Sequence, residues 1–525
     1  MRWMLRSPRA FQLYSTALLA VFISTAFVLA TRETGGKLLY PLDDVYIHLS
    51  LAETMLGGGF GINATEFASP SSSILYPFLL AFTTVVGLDV YGPLLLTVIP
   101  TFWVLWMVSG LFWESLKDNF AAWTLPAFLL MSPLLVFALN SVALPLTGME
   151  HSLHVLGTSL TLVGLIRLCH ENGGVVLTVA GILLTATIRF EGVALAGAGL
   201  LALAFLGHLR AAVVTGSILI AVFAVYFYAM SKMGLPSLPS SVLSKSGIAV
   251  ILNEYGAWDA IKRFRHTLAR SLDDRSGLLI AIGALVLFAD LFRSKPSAIQ
   301  VRPVLVVIIL TIAAHLSAGR YGWFERYEIY VLTALLIGLI AFSRELSRDI
   351  GAFSGFATVT GVLCVVASPF LVVTLKVPAA SKNIYEQQFQ MHRFATEFFP
   401  RSVAVNDIGW VSFQNDQYVL DLWGLGSETA RKLWGDGDLS AEEIQQLSAD
   451  KDITFAMLYE IFGIPPNWCR IATLKTSKVT AAHATVAFYL VDSAMREQMM
   501  AALEQFQLTL PPGASLDVHG CDLSG

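Results

Sequence analysis

Two adjacent acids, Asp43 and Asp44, stand about a dozen residues past the first membrane-length apolar stretch, in the run LDDVYIHLSLAETMLGGGFGINATEFASPSSS. An ionised carboxylate beside a bilayer is costly to hold away from water. A pair of them where a helix leaves the membrane therefore suggests a base or a cation site facing an aqueous cavity, with solvated loop acids as the ordinary alternative. Other ionisable residues cluster at the ends of apolar stretches. Glu150 precedes one, Arg189 and Glu191 bracket a tight turn, Arg320 and Arg326 precede another, and Lys245 follows the Pro-rich segment GLPSLPSSVLSK. Each has a plain alternative: a first-turn acid facing the helix dipole for Glu150, a structural ion pair for Arg189 with Glu191, and snorkelling to lipid headgroups for Arg326.

Composition sets the class of the elements that must position these residues. Of 525 residues, 55% are apolar and 14% are charged, and the mean hydropathy is +0.66. Soluble domains carry about 25% charged residues, so most of this chain belongs in lipid. A net charge of −4 gives no argument for nucleic acid. Arg2, Arg6 and Arg9 lead into the apolar run Phe11–Ala30, long enough to span and poor in signal-cleavage patterns, which reads as a retained first helix with a cytoplasmic basic end. Ten further spans bring the total to about eleven, from Tyr91–Trp113 to Phe353–Leu375, with Ser72–Gly87 interfacial and Ser231–Arg275 too polar to cross. Lys117, Arg167, Arg210, Arg302 and Arg344 then gather on the side of the N-terminus, as the positive-inside rule requires. The loops 31–90 and 231–275 and everything after 376 fall on the opposite, exoplasmic face. Lys262, Arg263, Arg265 and Arg270 read as headgroup contacts of an amphipathic helix.

Residues 1–376 thus form a multi-span membrane domain and 377–525 a soluble one. In the latter, Gln387–Phe399, Ala441–Leu447 and Ala494–Phe506 have helical spacing, and Val403–Asn406, Tyr418–Leu422, Ile453–Leu458 and Thr485–Val491 read as strands. The fold class is a polytopic α-helical membrane protein with a small C-terminal α/β domain. Of four cysteines, only Cys469 and Cys521 share an oxidising compartment under this topology, which predicts a Cys469–Cys521 disulfide.

The run from Leu42 onward resembles the first exoplasmic loop of GT-C glycosyltransferases, and most closely the subgroup of the mycobacterial terminal arabinofuranosyltransferase. Asp43, Asp44, Tyr46, Ile47, Ala52, Gly57, Gly59, Asn63, Glu66, Ser69 and Pro70 stand where that pattern has its characteristic residues. LTGMEHSLHVL, TIRFEG, GLPSLPSSVLSK, ERYEIYV and NDIGWVSF followed by YVLDLWGL resemble later motifs of the group, in the same order. The departures are His48 near the group's arginine and INATE for FNPGE, which leave the sugar open.

This resemblance implies a membrane glycosyltransferase that moves a sugar from a polyprenyl-phosphate donor to an envelope glycan or glycolipid acceptor, by inversion, at the exoplasmic face of a bacterial inner membrane. Asp43 is then the base and Asp44 orients it, with the reverse order open. Lys245, Arg326 and Arg189 are candidates for the donor phosphate, with Arg320 competing, and Glu150 and Tyr46 are further site candidates. The chemistry needs cations where negative charge develops and a carboxylate within reach of the acceptor hydroxyl. A monophosphate donor with a protein clamp predicts no obligatory metal, although two adjacent carboxylates suit a divalent cation. Acceptor docking falls to the terminal domain. The competing class is a transporter or flippase of a lipid-linked or small polar substrate. It fits less well, because no internal repeat is visible and the charges sit at span ends.

Overall fold

Large apolar side chains cover the outside of the helical part: Ile220 is 72% exposed and Leu201 and Val225 each 69%. An apolar belt of this kind is a liability in water and suits lipid. The computed structural model describes residues 7–120, 123–171, 173–245, 257–292, 296–349, 352–435 and 439–520. Among these, seven helices are long and apolar enough to cross a membrane, from Pro8–Glu33 to the stretch 353–398. Shorter apolar helices, Val175–Ile188 and Gly192–Phe205 among them, pack between the long ones. The chain is a multi-pass helical membrane protein.

The expected interfacial segment is the ten-residue helix Tyr76–Val85. The polar stretch after Lys232 contributes a short helix, Ser240–Lys245, and the helix Ala257–Asp273, on which Lys262, Arg265 and Arg270 are exposed. The side chains of Lys245 and Arg263 lie outside the described residues.

The last long helix, Ala352–Glu386, runs without a break into the terminal domain. There a six-stranded sheet has the order β2-β1-β3-β5-β4-β6, with β1 Val403–Val405, β2 Val419–Asp421, β3 Phe455–Leu458, β4 Cys469–Lys475, β5 Thr485–Leu490 and β6 Ser515–Val518. β1 pairs parallel with β2 and β3, and the remaining pairs are antiparallel. Phe394, Phe399, Leu503 and Phe506 cover one face, while Leu422, Ile444 and Leu447 cover the other. Strands covered on both faces read as unbroken apolar runs, which is why VAV was legible. β4 and β6 are additions to the sequence reading, as is the helix Glu428–Gly435. Arg470 and a bulge between Arg470 and Ala472 interrupt the β4 pattern, and SLDV is short and half exposed.

Side chains of the last long helix and of the first loop fasten this sheet in place. Asn383 accepts the backbone N–H groups of Val479, Thr480 and Ala481 and donates to the Ser477 carbonyl at 2.6 Å. Asn63, in the first loop, behaves as one residue of a strand. Its amide accepts from Val419 N–H and donates to Val419 C=O, each at 2.9 Å, and so closes the open edge of β2. Glu66 meets Lys451 at 3.2 Å and Ser427 at 3.1 Å, and also bonds the Tyr418 hydroxyl. Cys469 is disulfide-bonded; Cys521 lies outside the described residues.

Candidate functional site

Asp44 opens the helix Asp44–Leu56, and Asp43 sits at its N-cap. The Asp43 carboxylate faces across to the terminal domain, where its two oxygens accept the backbone N–H groups of Gly409 (2.8 Å) and Trp410 (2.9 Å). These amides open the short helix Gly409–Ser412 within NDIGW, and backbone amides at a helix start favour negative charge. A Cβ on Gly409 would lie 2.1 Å from the Asp43 carbonyl oxygen and 2.5 Å from its carboxylate, so only glycine permits this approach. The fully buried Tyr46 completes the joint. Its ring centroid is 4.0 Å from that of Trp410, and its hydroxyl accepts the Tyr40 N–H at 3.1 Å.

Burial and the neighbouring Asp407 push the Asp43 carboxyl up to about 8, against the pull of the two amides. Burial also raises Asp407. Its Oδ2 contacts the Tyr459 hydroxyl at 2.5 Å and accepts from Gln388 Nε2 at 2.8 Å. The same Tyr459 hydroxyl lies 2.7 Å from Gln387 Oε1, whose amide is pinned because Nε2 donates to the His483 carbonyl. One phenolic proton serves one acceptor. The two acceptors therefore share one phenolic donor, and burial raises Asp407 while its bonds to Tyr459, Gln388 and Asn406 pull it down.

Asp44 faces the other way. Its Oδ2 accepts from Arg326 at 3.2 Å, and its side chain is 23% exposed against 1% for the arginine. Arg326 also donates to the Tyr327 hydroxyl at 3.1 Å, while its Nε and Nη1 are buried with no hydrogen-bond partner. An unusual turn delivers it. Gly322, Trp323, Phe324 and Glu325 all have positive φ, from 51° to 77°. A left-handed conformation costs a non-glycine residue roughly 1–2 kcal/mol. The Glu328 carboxylate steadies the turn by accepting the Gly322 N–H at 3.1 Å.

Asp43, Asp44 and Arg326 line one cavity of about 1270 Å³, at the junction of the membrane part and the terminal domain. Arg270 and Arg320 line it as well, and burial together with Arg270's charge lowers the pKa of Arg320. From the terminal domain come Gln388, Asn406, Asp407 and Tyr459. Sequence reasoning missed these four. The NDIGW motif holding Asn406 and Asp407 was visible, but nothing in it revealed which way those side chains turn. Among the described residues no set of three His, Cys, Asp or Glu side chains converges as metal ligands.

Glu150 and Arg189 belong to a second cluster, outside the lining of this cavity. Arg189 holds Glu191 through Nε (3.2 Å) and Nη2 (2.7 Å), bonds Glu150 through Nη1, and lies 2.9 Å from His151. Glu150 is completely buried, accepts from Ser72 at 2.9 Å, and has His48 at 3.6 Å. The two clusters adjoin at Tyr327, whose ring centroid lies 5.7 Å from the Arg189 guanidinium and 5.0 Å from that of Arg326.

A family model described as "Domain of unknown function (DUF8728)" matches residues 382–489, the segment that carries Gln388, Asn406, Asp407 and Tyr459. No curated protein matches the chain. Two solved structures of ArnT from Cupriavidus metallidurans are similar at low identity. The one bound to undecaprenyl phosphate is 13% identical with a TM-score of 0.43, covering 91% of this chain and 99% of that one. The apo form is 12% identical with a TM-score of 0.42, covering 92% and 99%.

Proposed function

We propose that the chain is a GT-C glycosyltransferase taking its sugar from a polyprenyl-phosphate donor, and that its finer likeness is to the arabinofuranosyltransferase group. One observation carries the reading: a carboxylate of raised pKa and a buried arginine, two of whose nitrogens lack a hydrogen-bond partner among the described residues, line the same cavity. Asp43 is the base. Its orientation is fixed by two amides, and a pKa near the working pH suits a group that must first accept a proton and then release it. Asp44 holds Arg326, and Arg326 with Arg320 and Arg270 neutralises the departing phosphate. These cations supply the charge a metal would otherwise bring, so transfer proceeds in EDTA. The acceptor is an envelope glycan or glycolipid, and the site opens to the exoplasmic side.

The test is transfer from a synthetic polyprenyl-phosphate sugar by the purified protein. Asp43→Asn lowers the rate by roughly 10²–10⁴-fold, the usual contribution of a general base, while the donor still binds. Wild-type turnover in both Asp43→Asn and Asp44→Asn sinks the assignment.

A further inference from the structure

The terminal domain turns two buried amides toward the cavity, each tied at one end and loose at the other. Asn406 is 4% exposed, and its Oδ1 accepts the Tyr459 backbone N–H at 2.8 Å. That bond fixes the amide's orientation. Nδ2 is therefore the looser end: it interacts with Asp407, whose pKa it lowers, and meets no hydrogen-bond partner of ordinary geometry among the described residues. Gln388 is 2% exposed, and its Nε2 donates to Asp407 at 2.8 Å and to Gln387 at 3.2 Å. Its Oε1 is left without a partner. Buried polar atoms are almost always paired, and an unpaired donor and an unpaired acceptor lining one cavity call for a ligand that supplies both. A hydroxyl group gives one hydrogen bond and takes others.

We propose that Asn406 and Gln388 form a polyol subsite that reads ring hydroxyls of the sugar, while Arg326 takes the phosphate; the inference rests on the glycosyltransferase reading for the identity of the cavity's ligand. The subsite reads through two uncharged amides. It therefore favours a neutral sugar over a uronate or an amino sugar. The terminal domain then sets donor specificity in addition to any part in acceptor docking.

The experiment uses full-length protein in lipid nanodiscs and measures binding of four probes. These are bare polyprenyl phosphate, the same lipid carrying a neutral pentofuranose or hexopyranose, its monodeoxy analogues, and free methyl glycosides. Asn406→Asp keeps the acceptor for Tyr459 and removes the donor; Gln388→Met keeps length and removes the acceptor together with the donor to Asp407 and Gln387. Each variant weakens the glycosylated lipid roughly two- to tenfold, the worth of one hydrogen bond, and leaves the bare lipid unchanged. In the wild type, at least one monodeoxy analogue binds more weakly by a similar factor, a comparison that does not depend on any variant folding. Equal weakening of bare and glycosylated lipid, indifference to every deoxygenation, or no binding of any glycoside overturns the subsite. Glycosides that bind through Asn406 while no polyprenyl phosphate binds leave the subsite standing and remove the glycosyltransferase reading.

Discussion

Arg189 and Arg326 flank the same tyrosine ring, and both are almost wholly buried. From sequence they were equivalent, each at the end of an apolar stretch and each a candidate for the donor phosphate. Their surroundings separate them. Arg189 spends its nitrogens on Glu150 and Glu191. Arg326 is ion-paired with Asp44 alone among the described residues, and two of its nitrogens have no hydrogen-bond partner among them. A buried cation saturated by its own protein holds helices together, whereas one left partly unsatisfied beside a cavity is set to receive an anion.

The largest expected effect falls on the saturated arginine. Arg189→Met strands Glu150 in a buried setting and costs about 3–5 kcal/mol of stability, measured by unfolding in mixed micelles. Donor affinity of the protein that remains folded is unchanged. Arg326→Met does the reverse. A charge-assisted hydrogen bond contributes about 1.5–3 kcal/mol, so binding of a donor phosphonate weakens roughly tenfold to a hundredfold with a smaller loss of stability. If the two variants exchange these phenotypes, the distinction between the clusters is wrong.

Smaller again is Asn63→Ala, which removes two bonds to Val419 worth about 1 kcal/mol each. Hydrogen exchange at β2 rises while exchange within the spans does not. Unaltered exchange at β2 means that the edge is held by something other than this amide.

The remaining effect is one of pH. The folded pKa of Asp43, about 8, lies above its ordinary 3.8, so the folded form holds the extra proton. Its contribution to stability is full below pH 3.8 and is lost as pH climbs through 8. Transfer runs the other way across the upper part of that window, because the base works only after losing the proton. Wild-type melting temperature falls from pH 6 to 9 while kcat rises, and Asp43→Asn flattens the first trend. Rates that decline through this range count against Asp43 as base.

The acids of the first loop were legible because hydropathy marks where a span ends and the DD run carries recognisable neighbours. The spans were legible for the same reason, and so were strands such as VAV and FAML, whose burial on both faces leaves an unbroken apolar run. What escaped is non-local or locally improbable. Asp43 and Gly409 are 366 residues apart, and nothing near either names the other. The turn before Arg326 sets Trp323, Phe324 and Glu325 in a conformation that their side chains disfavour, so local propensity argues against the geometry that delivers the cation. Glu66 and Asn63 stand in the INATE run, whose likeness left the sugar open, and here they fasten the terminal domain.

That separation between Asp43 and Gly409 also has a bearing on how the protein is made. A chain that enters the membrane from its N-terminus exposes Asp43 long before the amides that orient it have been synthesised. Every helix can be in place while the carboxylate still lacks its setting, and the sheet domain must fold before the cavity gains its outer wall. On the reading of Asp43 as base, a chain clipped after the last span carries that base without the amides that aim it. Under that reading, synthesis order works as a safety catch, released only once the segment around Gly409 and Trp410 has been made and folded.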